Sequence, residues 1–96
     1  MKNTKPKVFF KPIEGSGPLS IDWHQGGKGD AVEAINELGV GFFSPSGELL
    51  GVIFDDVDEQ NDQQVLKFKN SLVVELKIKN SKIDFKLKTK KSFLEK

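Results

Sequence analysis

The chain has 96 residues, 36% apolar and 30% charged, with a formal net charge of +1, eight Phe and one Trp. That length holds one domain with one core, and the aromatics supply much of the buried area that the low apolar content would otherwise lack. The absence of Cys excludes disulfides and thiolate metal sites, and no apolar run approaches the ~18 residues of a membrane helix.

The N-terminal stretch MKNTKPKVFF carries lysines, and Gly15-Ser16-Gly17-Pro18 follows too soon for the apolar region of a signal peptide, which predicts a cytoplasmic protein. Val8-Phe9-Phe10 is a short apolar run ended by Pro12. After the Glu14–Pro18 turn cluster, Leu19, Ile21 and Trp23 alternate with polar residues. Period two places these three side chains on one face of a strand, and the two runs read as a strand pair. His24 to Gly29 is a glycine-rich loop. Residues 30–38 read two ways. Asp30 followed by Glu33 has the spacing of a helix N-cap, Ala31, Ile35 and Leu38 fall at helical intervals, and Gly39 suits a C-cap. Val32, Ala34 and Asn36 opposite Ile35 suit a strand.

Val40–Phe43 and Leu49–Phe54 flank Ser44-Pro45-Ser46-Gly47-Glu48, the composition of a type I turn followed by a left-handed residue, so the segment predicts a β-hairpin. The acidic stretch Asp55 to Asp62 reads as a loop. Three alternating runs follow, and residues 64–88 predict an antiparallel meander that buries Leu66, Phe68, Leu72, Val74, Leu76, Ile78, Ile83, Phe85 and Leu87. A two-residue turn at Asn80-Ser81 pairs Ile78 with Ile83, Leu76 with Phe85 and Val74 with Leu87. On the other face it sets Lys77 against Asp84 and Glu75 against Lys86, both opposite charges. A three-residue connection, Lys69 to Ser71, pairs Phe68 with Leu72 and Leu66 with Val74. The tail from about residue 89 to 96 is expected to fray. The expected fold is a single α+β, β-rich domain of six or seven short antiparallel strands with at most one short helix.

Charge is segregated along the chain. Residues 1–13 hold four Lys and no acid, residues 14–62 hold eleven acids against Lys28, and residues 64–96 hold ten Lys against Glu75, Asp84 and Glu95. All fifteen basic residues are Lys, and without Arg the preferred side chain for bidentate phosphate and base contacts is missing.

Few residues carry chemistry. Asp56, Asp58 and Gln60 alternate like the start of a calcium loop, but Asn61 and Lys67 stand where that loop needs Gly and Glu, so no metal is expected. Gly26-Gly27-Lys28-Gly29 matches no phosphate-binding pattern. His24 has Asp22 two residues away but no nucleophile to activate, so catalysis is not expected and no cofactor is implied.

Gly47, Leu49, Gly51, Val52 and Phe54, preceded by Leu19-Ser20-Ile21, resemble the family Domain of Unknown Function 2283, small bacterial proteins with a G-x-L-x-G-[IV]-x-[IL] hairpin. Phe54 takes the place of the last aliphatic residue, and Ser44-Pro45-Ser46 takes the place of that family's acidic turn. The resemblance implies a small β fold and no established activity.

The expected function is non-enzymatic protein binding, as an inhibitor, immunity or antitoxin-like protein, or adaptor. The acidic residues Asp55, Asp56, Asp58, Glu59 and Asp62 would meet a protein partner with a basic surface, with Trp23 and His24 as nearby anchors. The second reading is nonspecific nucleic-acid binding through Lys77, Lys79, Lys82, Lys86 and Lys88.

Overall fold

The computed structural model describes residues 6–23, 31–68 and 71–89, and every regular element there is a strand. In chain order these are β1 (Lys7–Phe10), β2 (Ser16–Asp22), β3 (Val32–Asn36), β4 (Gly39–Phe43), β5 (Leu49–Asp58), β6 (Asn61–Lys67), β7 (Leu72–Lys79) and β8 (Lys82–Thr89). They form a five-stranded sheet of order β1-β2-β5-β4-β3 and a three-stranded sheet of order β6-β7-β8. All pairings are antiparallel.

Among the described residues the fold is therefore all-β with eight strands, which corrects the α+β expectation and its six or seven strands. The difference lies in residues 30–38. Val32, Ala34 and Asn36 pair with Phe43, Gly41 and Gly39, so the segment is a strand, β3, and the described residues contain no helix. Helical spacing of three apolar residues loses here to a ready hairpin partner, because the chain returns through the two-residue turn Glu37-Leu38.

The sheets pack face to face. Leu19, Ile21, Val52, Phe54 and Val57 from the larger sheet meet Leu66, Val74, Leu76 and Ile78 from the smaller one, all essentially inaccessible to water. Burying a side chain of this size stabilises the fold by roughly 1.5–3 kcal/mol. Two glycines make the packing fit. On the inner face of β4, Gly41 leaves room for the Phe68 ring, which a Cβ would meet at 2.6 and 2.8 Å, and a Cβ on Gly39 would collide with the Ile53 carbonyl oxygen. Phe68 also stacks edge-on against Phe43, ring centres 5.3 Å apart.

The predicted hairpins form as their turn residues require. Gly47 adopts φ 98°, Gly47 N–H donates to the Ser44 carbonyl at 2.9 Å, and Ser44 N–H donates to that of Glu48 at 2.8 Å. Beyond the turn the register slips between Phe42 and Phe43, a separate bulge with Leu50 as the extra residue on β5. In the meander, Ile78 faces Ile83, Leu76 faces Phe85, Val74 faces Leu87, Lys77 faces Asp84 and Glu75 faces Lys86. Asn80 and Ser81 both have positive φ, 51° and 67°, the geometry of a type I′ turn. Leu66 faces Val74, and Phe68 N–H donates to the Leu72 carbonyl at 2.9 Å. The β1–β2 pair also forms, with Val8 opposite Ile21 and Phe10 opposite Leu19.

Two further expectations need correction. Ile83 and Leu87 stay 38% and 44% exposed. They point to the core side, but β8 is an edge strand, and of its inward residues only Phe85 reaches cover, against the core and Trp23. The acidic stretch is also no loop. β5 continues through Asp58, Glu59-Gln60 make the turn, and β6 begins at Asn61. Of the expected frayed tail, Thr89 pairs with Leu72, and residues 90–96 lie outside the described residues.

Candidate functional site

The corner where the chain crosses from one sheet to the other gathers the acidic residues of the sequence reading. β5 leaves the larger sheet with Asp58 opposite Ser16, and β6 enters the smaller one with Asn61 opposite Lys79. Asp58 closes the turn by accepting from the Gln60 and Asn61 N–H groups at 2.8 and 3.2 Å. Asp62 accepts from the Asp58 N–H at 2.8 Å, from its neighbour Gln63 N–H at 2.7 Å and from Gln64 Nε2 at 3.0 Å. Gln64 Nε2 also donates to the Asp56 carbonyl at 2.8 Å.

Two further turns close on this one. Glu59 N–H donates to the Gly15 carbonyl at 2.8 Å, and Ser81 N–H donates to the Gln60 carbonyl at 3.1 Å. Asn61 Oδ1 accepts from the Asn80 N–H at 3.3 Å. Glu14 joins the acids here, on a residue with φ 58° ahead of Gly15 at φ 95°. It was missed in the sequence because it lies 41 or more positions from the acidic stretch, and only the β2–β5 pairing brings it close.

The five predicted acidic residues thus share one corner but divide in role. Asp58 and Asp62 hold the backbone, while Asp55 and Asp56 are exposed and Glu59 is half-buried. Partial burial favours the neutral form of Asp62, but its hydrogen bonds from Asp58, Gln64 and Gln63 together outweigh that and hold its carboxyl below the ordinary aspartate range. Carboxylates turned onto N–H groups are poorly placed to ligate a cation, and among the described residues no group of three or more His, Cys, Asp or Glu could hold a metal ion.

Trp23 packs inward. Its backbone N–H donates to the Leu50 carbonyl at 2.9 Å, and its half-buried ring stands edge-on to Phe85, ring centres 5.9 Å apart. Only part of the ring is left for a partner. His24 and the Gly26–Gly29 loop lie outside the described residues.

The lysines of the second reading do share a surface. Lys77, Lys79, Lys82, Lys86 and Lys88 are exposed on the outer face of the smaller sheet, where Lys67 joins them. Glu75 and Asp84 interrupt the face, and Lys88 Nζ lies 3.3 Å from Glu75 Oε2. Lys79 and Lys82 sit in the same row as Asn61, so the basic face begins beside the acidic corner and does not form a distant pole.

A groove of about 680 Å³ runs along the free edge of β3, lined by Val32, Ala34, Asn36, Phe43, Lys67 and Phe68. Asn36 Nδ2 donates to the Lys67 carbonyl at 2.8 Å and ties β3 to the end of β6 there. Its lining suits apolar side chains. No sequence signal reveals it, because it exists only once β3 is a strand at a sheet edge.

Comparison of the chain with protein-family models, with curated proteins and with solved structures finds no match. No helix among the described residues is long and apolar enough to cross a membrane.

Proposed function

We propose that this chain is a small non-enzymatic protein-binding domain, an inhibitor, immunity or antitoxin-like protein or adaptor, acting in a bacterial cytoplasm. Its acidic corner covers a basic face of a protein partner. The observation that carries this reading is the bracing of the corner: hydrogen bonds join three turns there, so Asp55, Asp56 and Glu59 stand on a fixed backbone. A charged surface ordered before binding loses less entropy on association and selects partners of complementary sign. Trp23 follows the far end of β2, where Asp22 pairs with Gly51, whereas Ser16 pairs with Asp58 at the corner, so Trp23 lies away from this surface. The resemblance of Leu19–Phe54 to Domain of Unknown Function 2283 agrees with a small β fold and adds no residue to the reading.

The test is affinity capture from a bacterial lysate with the wild-type chain and with the Asp55→Lys, Asp56→Lys, Glu59→Lys variant as paired baits. The expected result is a basic protein retained by the first and absent from the second. Equal recovery on both baits would overturn the assignment of the corner.

One observation favours a second reading, nonspecific nucleic-acid binding: six lysines project from one face of the smaller sheet. Duplex DNA binding would then weaken steeply with salt, with a log–log slope of about −0.9 per phosphate neutralised. A flat salt response would dismiss it.

A further inference from the structure

A sheet that turns one face to water normally keeps that face polar. The three-stranded sheet does so, with Lys, Glu, Asp, Asn and Gln across most of its outer face. The five-stranded sheet does not. Its outer face carries a continuous row through all five strands, Phe9–Ser20–Ile53–Val40–Ile35, and Phe42 stands in the next row. Phe9 is 61% and Ile35 82% exposed. Scattered apolar side chains on a surface are ordinary, but a contiguous band of them marks an interaction site.

The charges bordering this band indicate what covers it. The adjacent row reads Lys7–Asp22–Gly51–Phe42–Glu33. The β1 side of the face carries Lys7 and Lys11, the latter with its ammonium 6.0 Å from the Phe9 ring centre. The β3 side carries Glu33, and Glu37 follows in the next turn. The face is basic along one edge and acidic along the other; between them the apolar residues are interrupted by Ser20 and Asp22 on β2, and exposed Asp55 lies two residues beyond Ile53 on β5.

We propose that a second copy of this chain covers this face in a two-fold, face-to-face dimer. A two-fold axis along the central strand β5 lays β1 of one copy over β3 of the other. Lys7 then meets Glu33 of the second copy, Phe9 meets Ile35, Ser20 meets Val40, Asp22 meets Phe42, and Ile53 meets its own symmetry mate. Each contact occurs twice, except that of Ile53 on the axis, as a closed two-fold interface requires. Aligned sheets cross at about 30°, which shifts edge residues by roughly 5 Å along the strand. Lysine and glutamate side chains span that shift, and Lys11 stands one outward position beyond Phe9 to take either register. Gly51, at the centre of its row, lets the backbones approach closely. Self-complementarity of this kind is a property of the face alone, and a foreign partner would not generate it.

The face is limited in size. Five strands about 4.8 Å apart and about five residues long present roughly 400 Å² of flat area on each copy. That sits at the small end of specific interfaces, so the dimer is concentration-dependent, with a Kd on the order of tens of micromolar.

The experiment is sedimentation velocity on the full chain from about 1 µM to about 1 mM, a range that brackets such a Kd. The wild type is expected to shift from monomer to dimer mass. Lys7→Glu and Glu33→Lys should each weaken dimerisation at least about tenfold, since each turns both symmetric contacts into like-charge pairs. An equimolar mixture of these two variants should regain it, because the mixed dimer pairs opposite charges at both contacts. Ile35→Asp should abolish dimerisation with the circular dichroism spectrum unchanged, its site being 82% exposed. A wild-type chain that remains monomeric across the whole range overturns the proposal. So does a dimer that survives all three substitutions, which would place the contact on another surface, and so does failure of the mixture to recover.

Discussion

Gly39 and Gly41 sit two residues apart on the inner face of β4 and do different things. A Cβ at Gly39 would strike the Ile53 carbonyl oxygen, part of the neighbouring strand's backbone, whereas a Cβ at Gly41 would strike the end of the Phe68 ring. Backbone in a five-stranded sheet cannot yield without losing ladder hydrogen bonds, but a ring can tilt. Gly39→Ala should therefore cost several kcal/mol and Gly41→Ala about 1–2 kcal/mol, read as shifts in the urea midpoint; the reverse order would contradict the packing. Asp62 is the other residue whose environment makes a measurable statement. Its carboxyl is held below the ordinary aspartate range despite partial burial. A depressed folded-state pKa contributes stability that is complete above the unfolded-state pKa and is lost as pH falls through the folded one. Asp62→Asn should thus be less stable than wild type at neutral pH, by about 1 kcal/mol for hydrogen bonds to a lost charge. The gap should close as the solution is acidified through the carboxylate range. A constant gap in urea melts across that range would mean the effect is steric.

At the scale of elements, the β7–β8 hairpin was legible in full. Two turn-forming residues fix the count, and Lys77 with Asp84 and Glu75 with Lys86 single out one register among those the apolar alternation allows. The extent of burial was not legible, because alternation tells which face Ile83 and Leu87 occupy and says nothing about whether the opposite sheet extends over them. β3 is open between helix and strand in the sequence for a related reason: Ala31, Ile35 and Leu38 carry a helical interval, while the residues that make it a strand, Gly39 to Phe43, lie in its partner. The corner at Asp58 was readable in principle, since Asp58 accepts from the N–H groups two and three residues on, the ordinary turn-forming behaviour of aspartate. Its continuity with β5 was hidden by the outward carboxylates. The Asn80-Ser81 turn carries a prediction of its own. Ser81 holds φ 67°, where Cβ is disfavoured and Asn-Gly is the preferred pair. Ser81→Gly should raise stability by about 0.5 kcal/mol, after the larger entropy glycine has in the unfolded chain, while leaving the N–H that donates to Gln60 in place. Ser81→Val should lower it. Equal melting temperatures for the two variants would be incompatible with the left-handed turn.

At the scale of the whole molecule, three surfaces of different chemistry surround one small core: an apolar face on the larger sheet, a lysine face on the smaller one, and an acidic corner where they join. The charge blocks are visible in the sequence but their spatial relation is not, and the pairing of Asn61 with Lys79 and of Lys79 with Lys82 brings lysines up to the acidic corner. Their proximity matters for association. At a separation comparable to the Debye length, about 8 Å at physiological salt, a partner approaching the corner feels both signs, and the exposed carboxylates dominate only at close range. Lys79 and Lys82 would then oppose a basic partner, and the remaining lysines of the sheet, farther along β7 and β8, would be nearly silent. Charge reversal at Asp55, Asp56 and Glu59 should therefore slow association with a basic protein by about tenfold or more at low salt and flatten its salt dependence, since steering acts on the association rate. Replacing Lys79 and Lys82 by Gln should speed association modestly, and replacing Lys86 and Lys88 should change it little. Stopped-flow association rates measured at two salt concentrations distinguish these cases. A loss of binding on removing Lys86 and Lys88, with the acidic variant unaffected, would transfer the function to the lysine face and to a polyanionic partner.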